Sequence, residues 1–236
     1  MLGLGNSVSG LTVPDEGSII PTFDGLQVWY KFGEGLTATG SLITAWADSS
    51  GNGNNLTQST ETNQPAKTSP QGGIDLDGSD NFMILDTALD LTAFTIVATV
   101  TIDDNTLETL FGNGSSGTDF FRLDGSAWTI RTAGSSFQGA MSTSRSDGDS
   151  YVLILISQRG ASQTRYNLFD LTDGTLTTEG NVTIDNQTFT IGDVGRNSAN
   201  AHFFNGKILE LAIYNTELSS ANARLVGDEM TIRTGI

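Results

Sequence analysis

The chain contains no cysteine. Disulfides, thiolate metal sites and a cysteine nucleophile are therefore excluded. Its single histidine, His202, rules out multi-histidine zinc sites and any mechanism that needs two histidines. Basic residues are scarce, 11 Lys and Arg against 27 Asp and Glu, for a formal net charge of −16. Phosphate binding needs clustered Lys and Arg, so nucleic acid is not an expected partner. Membrane insertion is not expected either, because no apolar run approaches the roughly 20 residues that span a bilayer. The opening Met1-Leu2-Gly3-Leu4-Gly5-Asn6-Ser7 lacks the basic segment and long apolar core of a secretory signal. Assembly inside a cell, or export by another route, is expected.

What is present points to β-structure. A length of 236 residues suits one large β-sandwich with a short extension. Twelve Phe, three Trp and four Tyr can build its core, and 28 glycines suit many tight turns. The acidic balance serves solubility first; a basic partner surface or a high-salt environment would also fit.

Residues 1–24 differ from the rest. Glycine, serine and proline dominate, with scattered Leu2, Leu4, Leu11, Val13, Ile19 and Ile20 and no periodicity. Such a segment cannot bury itself. It is read as an extended assembly arm whose six apolar residues contact a neighbouring subunit. From Gly25 the pattern becomes β: Leu26, Val28, Tyr30 and Phe32 alternate with Gln27, Trp29 and Lys31. Phe94, Ile96, Ala98, Val100 and Ile102 alternate with a mostly threonine set, Thr95, Val97, Thr99 and Thr101, which predicts a solvated second face. The continuous run Tyr151 to Ile156 predicts a central strand covered on both faces. Further strands are expected over 120–123, 129–131, 164–170, 188–192 and 208–214, with turns that include Asp147-Gly148-Asp149 and Gly180-Asn181. Ser219 to Met230 reads as a helix, capped by Ser219 or Ser220, with Ala221, Leu225 and Met230 as its buried stripe. The expected fold is all-β: a two-sheet antiparallel sandwich over 25–236, with one short C-terminal helix and the arm at 1–24.

Four motifs occur in series: Leu26 to Gly35 (LQVWYKFGEG), Trp46 to Leu56 (WADSSGNGNNL), Ile74 to Phe82 (IDLDGSDNF), and Phe204 to Asn215 (FNGKILELAIYN) followed by Leu218-Ser219. Together they resemble the signature of laminin-G-like domains of the concanavalin A-like lectin/glucanase superfamily. The resemblance covers about residues 25–230 and implies a jelly-roll sandwich. Secreted eukaryotic members often carry a disulfide, so the missing cysteines favour a microbial or viral source. Leu209 stands where the family often has Asp, which weakens the case for the structural calcium site of related domains.

The glucanases of that superfamily carry a Glu-x-Asp-x-Glu triplet, because glycoside hydrolysis needs two carboxyls held close together. No such triplet occurs here. Asp75 and Asp77 share an i, i+2 spacing but belong to a motif that non-enzymatic members also show, so the chain is expected not to be an enzyme. Alginate-lyase jelly rolls surround a histidine with Gln, Arg and Tyr motifs; His202 has none and reads as a hydrogen-bonded loop residue. Calcium takes 6–8 oxygens, and Asp75, Asp77 and Asp80 offer three carboxylates as a candidate site. Asp103-Asp104-Asn105 is a second acidic turn. Asp side chains that bond their own backbone explain both without a metal, so no cofactor is assigned beyond this calcium candidate. Lectin sites pair an exposed aromatic with hydroxyl-binding polar groups. Trp128 with Asn52, Asn54 and Asn55 are the candidate glycan-binding residues, whereas Trp29 and Trp46 read as packing.

The opening Met1 to Ser7 resembles the openings of virion proteins from marine tailed phages, where laminin-G-like domains recur. This implies a structural protein displayed on the particle exterior. A capsid decoration role is first, with the major capsid protein as partner and a homo-oligomer as a further arrangement. A tail, baseplate or fibre component, or a carbohydrate-binding adhesin that meets host-surface glycans, is the alternative; a glycosidase or polysaccharide lyase ranks third. Deleting residues 2–20 is expected to abolish attachment to the particle in a co-sedimentation assay. Unchanged attachment would remove the arm from the account.

Overall fold

A computed structural model describes residues 23–69, 72–114, 117–125, 127–132, 139–142, 146–172, 174–197 and 201–236. The six apolar arm residues Leu2, Leu4, Leu11, Val13, Ile19 and Ile20 lie outside these. The described residues form seventeen strands and one C-terminal α-helix. In chain order the strands are β1 (Leu26–Tyr30), β2 (Leu36–Thr39), β3 (Leu42–Trp46), β4 (Leu56–Thr57), β5 (Ala66–Lys67) and β6 (Ile74–Asp77). Next come β7 (Met83–Leu91), β8 (Phe94–Ile102), β9 (Leu107–Gly112), β10 (Phe120–Asp124), β11 (Ala127–Arg131) and β12 (Gly139–Ser142). Then follow β13 (Ser150–Arg159), β14 (Gln163–Thr172), β15 (Thr175–Asp185), β16 (Phe189–Val194) and β17 (Asn205–Tyr214), and the helix α1 (Ser220–Thr234).

All the ladders are antiparallel, and they join into one nearly closed circuit rather than two separate sheets. From β17 one arm runs through β8, β13 and β14 to β15. The other leaves β17 through β6, β5, β3, β4, β7, β16, β9, β10 and β11 to β12. The two ends meet where β12 lies against β15. There a Cβ on Gly139 would come within 2.1 Å of Val182 Cγ2, so only glycine permits the approach.

Side-chain alternation divides the interior. Phe94, Ile96, Ala98, Val100 and Ile102 of β8 and Tyr151, Leu153 and Leu155 of β13 point into the main core inside the circuit. Val97, Val152, Ile154, Ile156, Ala212 and Tyr214 point outward into a second core roofed by Ala223, Val226 and Met230 of α1. The continuous apolar run of β13 is thus explained, since both its faces are covered. The threonine face of β8 is not solvated as expected. Thr95 and Thr99 are fully buried, because that face lies under the helix end of the chain. Thr95 Oγ1 accepts the Leu218 N–H at 2.9 Å and donates to Thr216 O at 3.0 Å, which ties the entry to α1 onto the sheet.

Ser219 caps α1, accepting the Asn222 N–H at 3.2 Å. Its buried stripe is Ala223, Val226, Gly227 and Met230; Ala221 and Leu225 are exposed, a correction to the expected stripe. Gly227 sets the helix down close: a Cβ there would meet Leu171 Cδ2 at 2.7 Å. Gly180-Asn181 makes no turn but sits mid-strand in β15, where the ladder to β14 slips by a bulge.

Glu210 of β17 is fully buried and is bound twice over by Arg233 of α1, Nη2 to Oε1 at 2.6 Å and Nε to Oε2 at 3.0 Å. Trp29 Nε1 donates to the same carboxylate at 2.7 Å. Removing one partner of such a pair strands the other charge without water. Glu210→Ala is therefore expected to lower the unfolding free energy by about 3–5 kcal/mol, read as a shift in the urea midpoint at unchanged slope.

Candidate functional site

The Trp46–Leu56 turn directs its polar groups inward. Asp48 accepts the Trp29 N–H at 2.9 Å, the Ser50 N–H at 2.8 Å and the Asn54 N–H at 3.2 Å. Asn54 is buried; it donates to Thr87 O and accepts the Thr87 N–H, both at 2.8 Å. Asn52 Nδ2 donates to Leu26 O at 2.9 Å, and Asn55 Nδ2 to Asp86 Oδ2 at 3.1 Å. Gly51 and Gly53 take φ of 91° and 74°, which bulkier residues resist. The turn is a self-satisfied clasp.

Trp128, the expected sugar platform, is fully buried. Its ring stacks on Phe121 at 4.7 Å between centroids, and its Nε1 donates to Tyr151 OH at 2.8 Å. It is a core residue and cannot stack a ligand, because alternation along β11 turns it inward. The calcium candidate is corrected as well. Asp77 Oδ1 accepts the N–H groups of Ser79, Asp80 and Asn81, so it builds the turn itself. Asp75 faces Lys207 across the β6–β17 ladder. Among the described residues no group of three or more acidic or histidine side chains is placed to hold a metal ion.

A different place brings chemistry together. An open cleft of about 430 Å³ lies between the turn after β6, the loop that leads into β9, and residues 202–205 before β17. Asp77, Asp104, Glu108, His202 and Phe203 line it. Each is set by local structure. Gly78 takes φ 70° and leaves no room for a Cβ, which would meet Asn205 Cβ at 2.7 Å. Asp104 Oδ1 accepts the Thr106 N–H at 2.9 Å. The Thr109 N–H donates to His202 O at 3.0 Å, pinning the 202 loop to β9. His202 holds a φ of 55°, the one non-glycine residue with positive φ among those described. Backbone strain of this kind tends to gather at functional sites.

Glu108 carries the most perturbed carboxyl. It is 3% exposed and accepts one backbone N–H, from Asn205 at 2.9 Å. Burial pushes its pKa up to about 8; the Asn205 N–H opposes this, and Asp104, Asp147 and Asp103 push it further. The carboxyl is thus protonated near neutral pH and can donate. Burial lowers the pKa of His202, Arg122 nearby lowers it further and Asp124 opposes, so the imidazole is neutral. Glu108 escaped sequence reasoning. Its signal was a lone acid set into the apolar strand LETLF, which periodicity alone reads as a solvated position. Only the tertiary fold brings His202 and Asp104 to it.

No protein-family model and no curated protein sequence matches the chain. Solved structures do resemble it. Domain 4 of AbnA, an extracellular GH43 arabinanase from Geobacillus stearothermophilus, in complex with arabinotriose, matches at TM-score 0.57 and 17% identity over 86% of this chain and 98% of that one. An arabinofuranosidase complexed with arabinofuranosyl-alpha-1,2-xylobiose matches at 0.56 and 15% identity over 81% of this chain. Trypanosoma rangeli sialidase in complex with the inhibitor DANA matches at 0.53 and 18% identity over 89% of it. The chain spans 51% of the arabinofuranosidase chain and 33% of the sialidase chain. At these identities the likeness is one of fold. It overturns the expectation that the chain is not an enzyme. That expectation rested on the absence of a glucanase triplet and of lyase motifs around His202, and the fold is shared with chains of glycoside hydrolases.

The folded state holds a proton on Glu108 up to about pH 8, while the unfolded chain releases it near its ordinary value of 4.5. Between these values the folded state binds more protons, so stability falls as pH rises. Glu108→Gln is expected to flatten the decline between pH 5 and 8 by on the order of 3 kcal/mol in a urea series. An unchanged profile would place the carboxyl in its ordinary range.

Proposed function

We propose that this protein is a carbohydrate-recognition domain whose ligand sits in the Glu108–His202 cleft. The observation that carries the proposal is the make-up of the cleft. Two carboxylates, a protonated carboxyl and a neutral imidazole offer both acceptors and donors to sugar hydroxyls, and the Phe203 ring stands beside them. The likeness to a domain bound to arabinotriose supports the class of ligand. Calorimetry with arabino-oligosaccharides and a panel of neutral oligosaccharides tests it. Saturable binding is expected, weakened about tenfold or more by His202→Ala or Phe203→Ala at unchanged melting temperature; no binding to any member at millimolar sugar would refute it.

A second reading is glycoside hydrolysis in the same cleft. It is favoured by the raised pKa of Glu108, the state a general acid needs, with the carboxylates of Asp77 and Asp104 on the same walls. Release of nitrophenol from a panel of nitrophenyl glycosides, lost in Glu108→Gln, would support it, and no turnover by the wild type would dismiss it. For the finer fold we propose a flattened two-layer sandwich of the concanavalin A-like, laminin-G-like kind. Its support is the four-motif series and the single main core inside the circuit. Display of such a domain on a tailed-phage particle, as a decoration or tail component, rests on the sequence of the arm alone.

A further inference from the structure

We propose that Arg122 and Arg131 form a subsite for the carboxylate of an acidic sugar, beside the cleft and resting on the carbohydrate reading of it. Five cations pair with carboxylates: Lys31 with Glu34, Lys207 with Asp103, Arg196 with Asp193, Arg224 with Asp228 and Arg233 with Glu210. Among the described residues Lys67, Arg159 and Arg165 form no ion pair, and neither do Arg122 and Arg131, which differ in being partly buried side by side. Among the described residues neither has an ion-pair or hydrogen-bond partner, and the Nε of each is buried and unsatisfied. A buried donor on a fixed cation is costly to leave unmet.

The register places the two together. On the antiparallel pair β10–β11, Phe120 lies opposite Arg131 and Arg122 opposite Thr129. Phe120 and Arg122 are two residues apart on one strand, so all four side chains share a face, and the arginines are diagonal neighbours about 7–8 Å apart at the backbone. This is the outer face, since Phe121, Leu123, Trp128 and Ile130 take the core side. The Arg122 guanidinium lies 4.2 Å from the Phe120 ring centroid, which fixes its plane. Burial lowers its pKa, and Asp124 opposes this by more than Arg131 adds to it, although Asp124 forms no ion pair with either arginine. A planar carboxylate between the two forks would accept from both and give each a direct partner.

One further feature favours a sugar that extends from the cleft over a bare anion. Across the β9–β10 ladder Thr109 lies opposite Arg122 on the same face, fully buried. The Thr109 N–H is the one that holds His202 O, and His202 is within electrostatic reach of Arg122, so the arginines and the cleft adjoin.

Calorimetry in 0.1 M salt with a uronic-acid trisaccharide, its carboxyl-reduced neutral counterpart and a sulfated counterpart tests the proposal. The wild type is expected to prefer the carboxylated sugar by about tenfold or more over both others. Arg122→Gln and Arg131→Gln should each erase that preference and leave neutral-sugar affinity unchanged. Because the Nε of each arginine is buried without an acceptor, Arg122→Met and Arg131→Met should hold or raise the melting temperature, whereas a structural role would lower it. Equal binding of neutral and carboxylated sugars, preference for the sulfated one, or persistence of the preference in the Gln variants would overturn the subsite and leave the carbohydrate reading standing. No binding of any sugar would overturn both.

Discussion

Everything in this fold passes through β17, which is bonded to three strands at once. Its first half pairs with β6, its second half with β1, and its other edge with β8 along its whole length. One edge serves two partners because β6 pairs with residues 205–208 and β1 with residues 211–214; on the other edge the ladder to β8 slips between Ile208 and Glu210, leaving Leu209 as the extra residue of a bulge. Gly73 fits against that bulge, where a Cβ would meet Ile208 O at 2.2 Å. The bulge also turns Glu210 toward α1, so the strand from which both arms of the circuit run is the one that fastens the helix. Ahead of the same strand, residues 202–205 form one wall of the cleft. Leu209, which differs from the pattern the motif resembles, is thus a point of geometry before it is a question of metal.

Three of the five acids buried among the described residues meet three fates, and the difference is the number of donors each finds. Glu210 has a bidentate arginine and an indole N–H. Asp193 has Arg196, itself laid over the Phe82 ring; burial raises its pKa and the arginine opposes the rise. Glu108 has one backbone N–H and acidic neighbours, so a proton takes the place of a partner. Desolvation is common to all three. What distinguishes a candidate site from scaffold is that its charge is left uncompensated. Arg122 and Arg131 share that feature in part, since the Nε of each is buried without an acceptor.

The sequence by itself determined the strands with clear alternation or unbroken apolar runs, such as β1, β8, β13 and β17, the helix cap at Ser219, the two-sided burial of the Tyr151–Ile156 run and the Trp46–Leu56 turn. Each depends on residues close in the chain: alternation, a hydroxyl before a helix, glycine where φ is positive. It misread what depends on partners distant in the chain. The threonines of β8 looked solvent-facing until α1 covered them, and Ala221 and Leu225 looked buried until Gly227 chose the contact face. Trp128 looked like a sugar platform until its strand turned it inward. Asn52, Asn54 and Asn55 fasten the turn to Leu26, Thr87 and Asp86, partners the local pattern does not show. Only the tertiary structure could bring Glu108, His202 and Asp104 to one cleft or set two arginines together without a carboxylate. Burial and charge compensation are properties of an environment, and that environment comes from strands far apart in the chain, as where the Glu108 carboxyl holds the Asn205 N–H or Trp29 reaches Glu210.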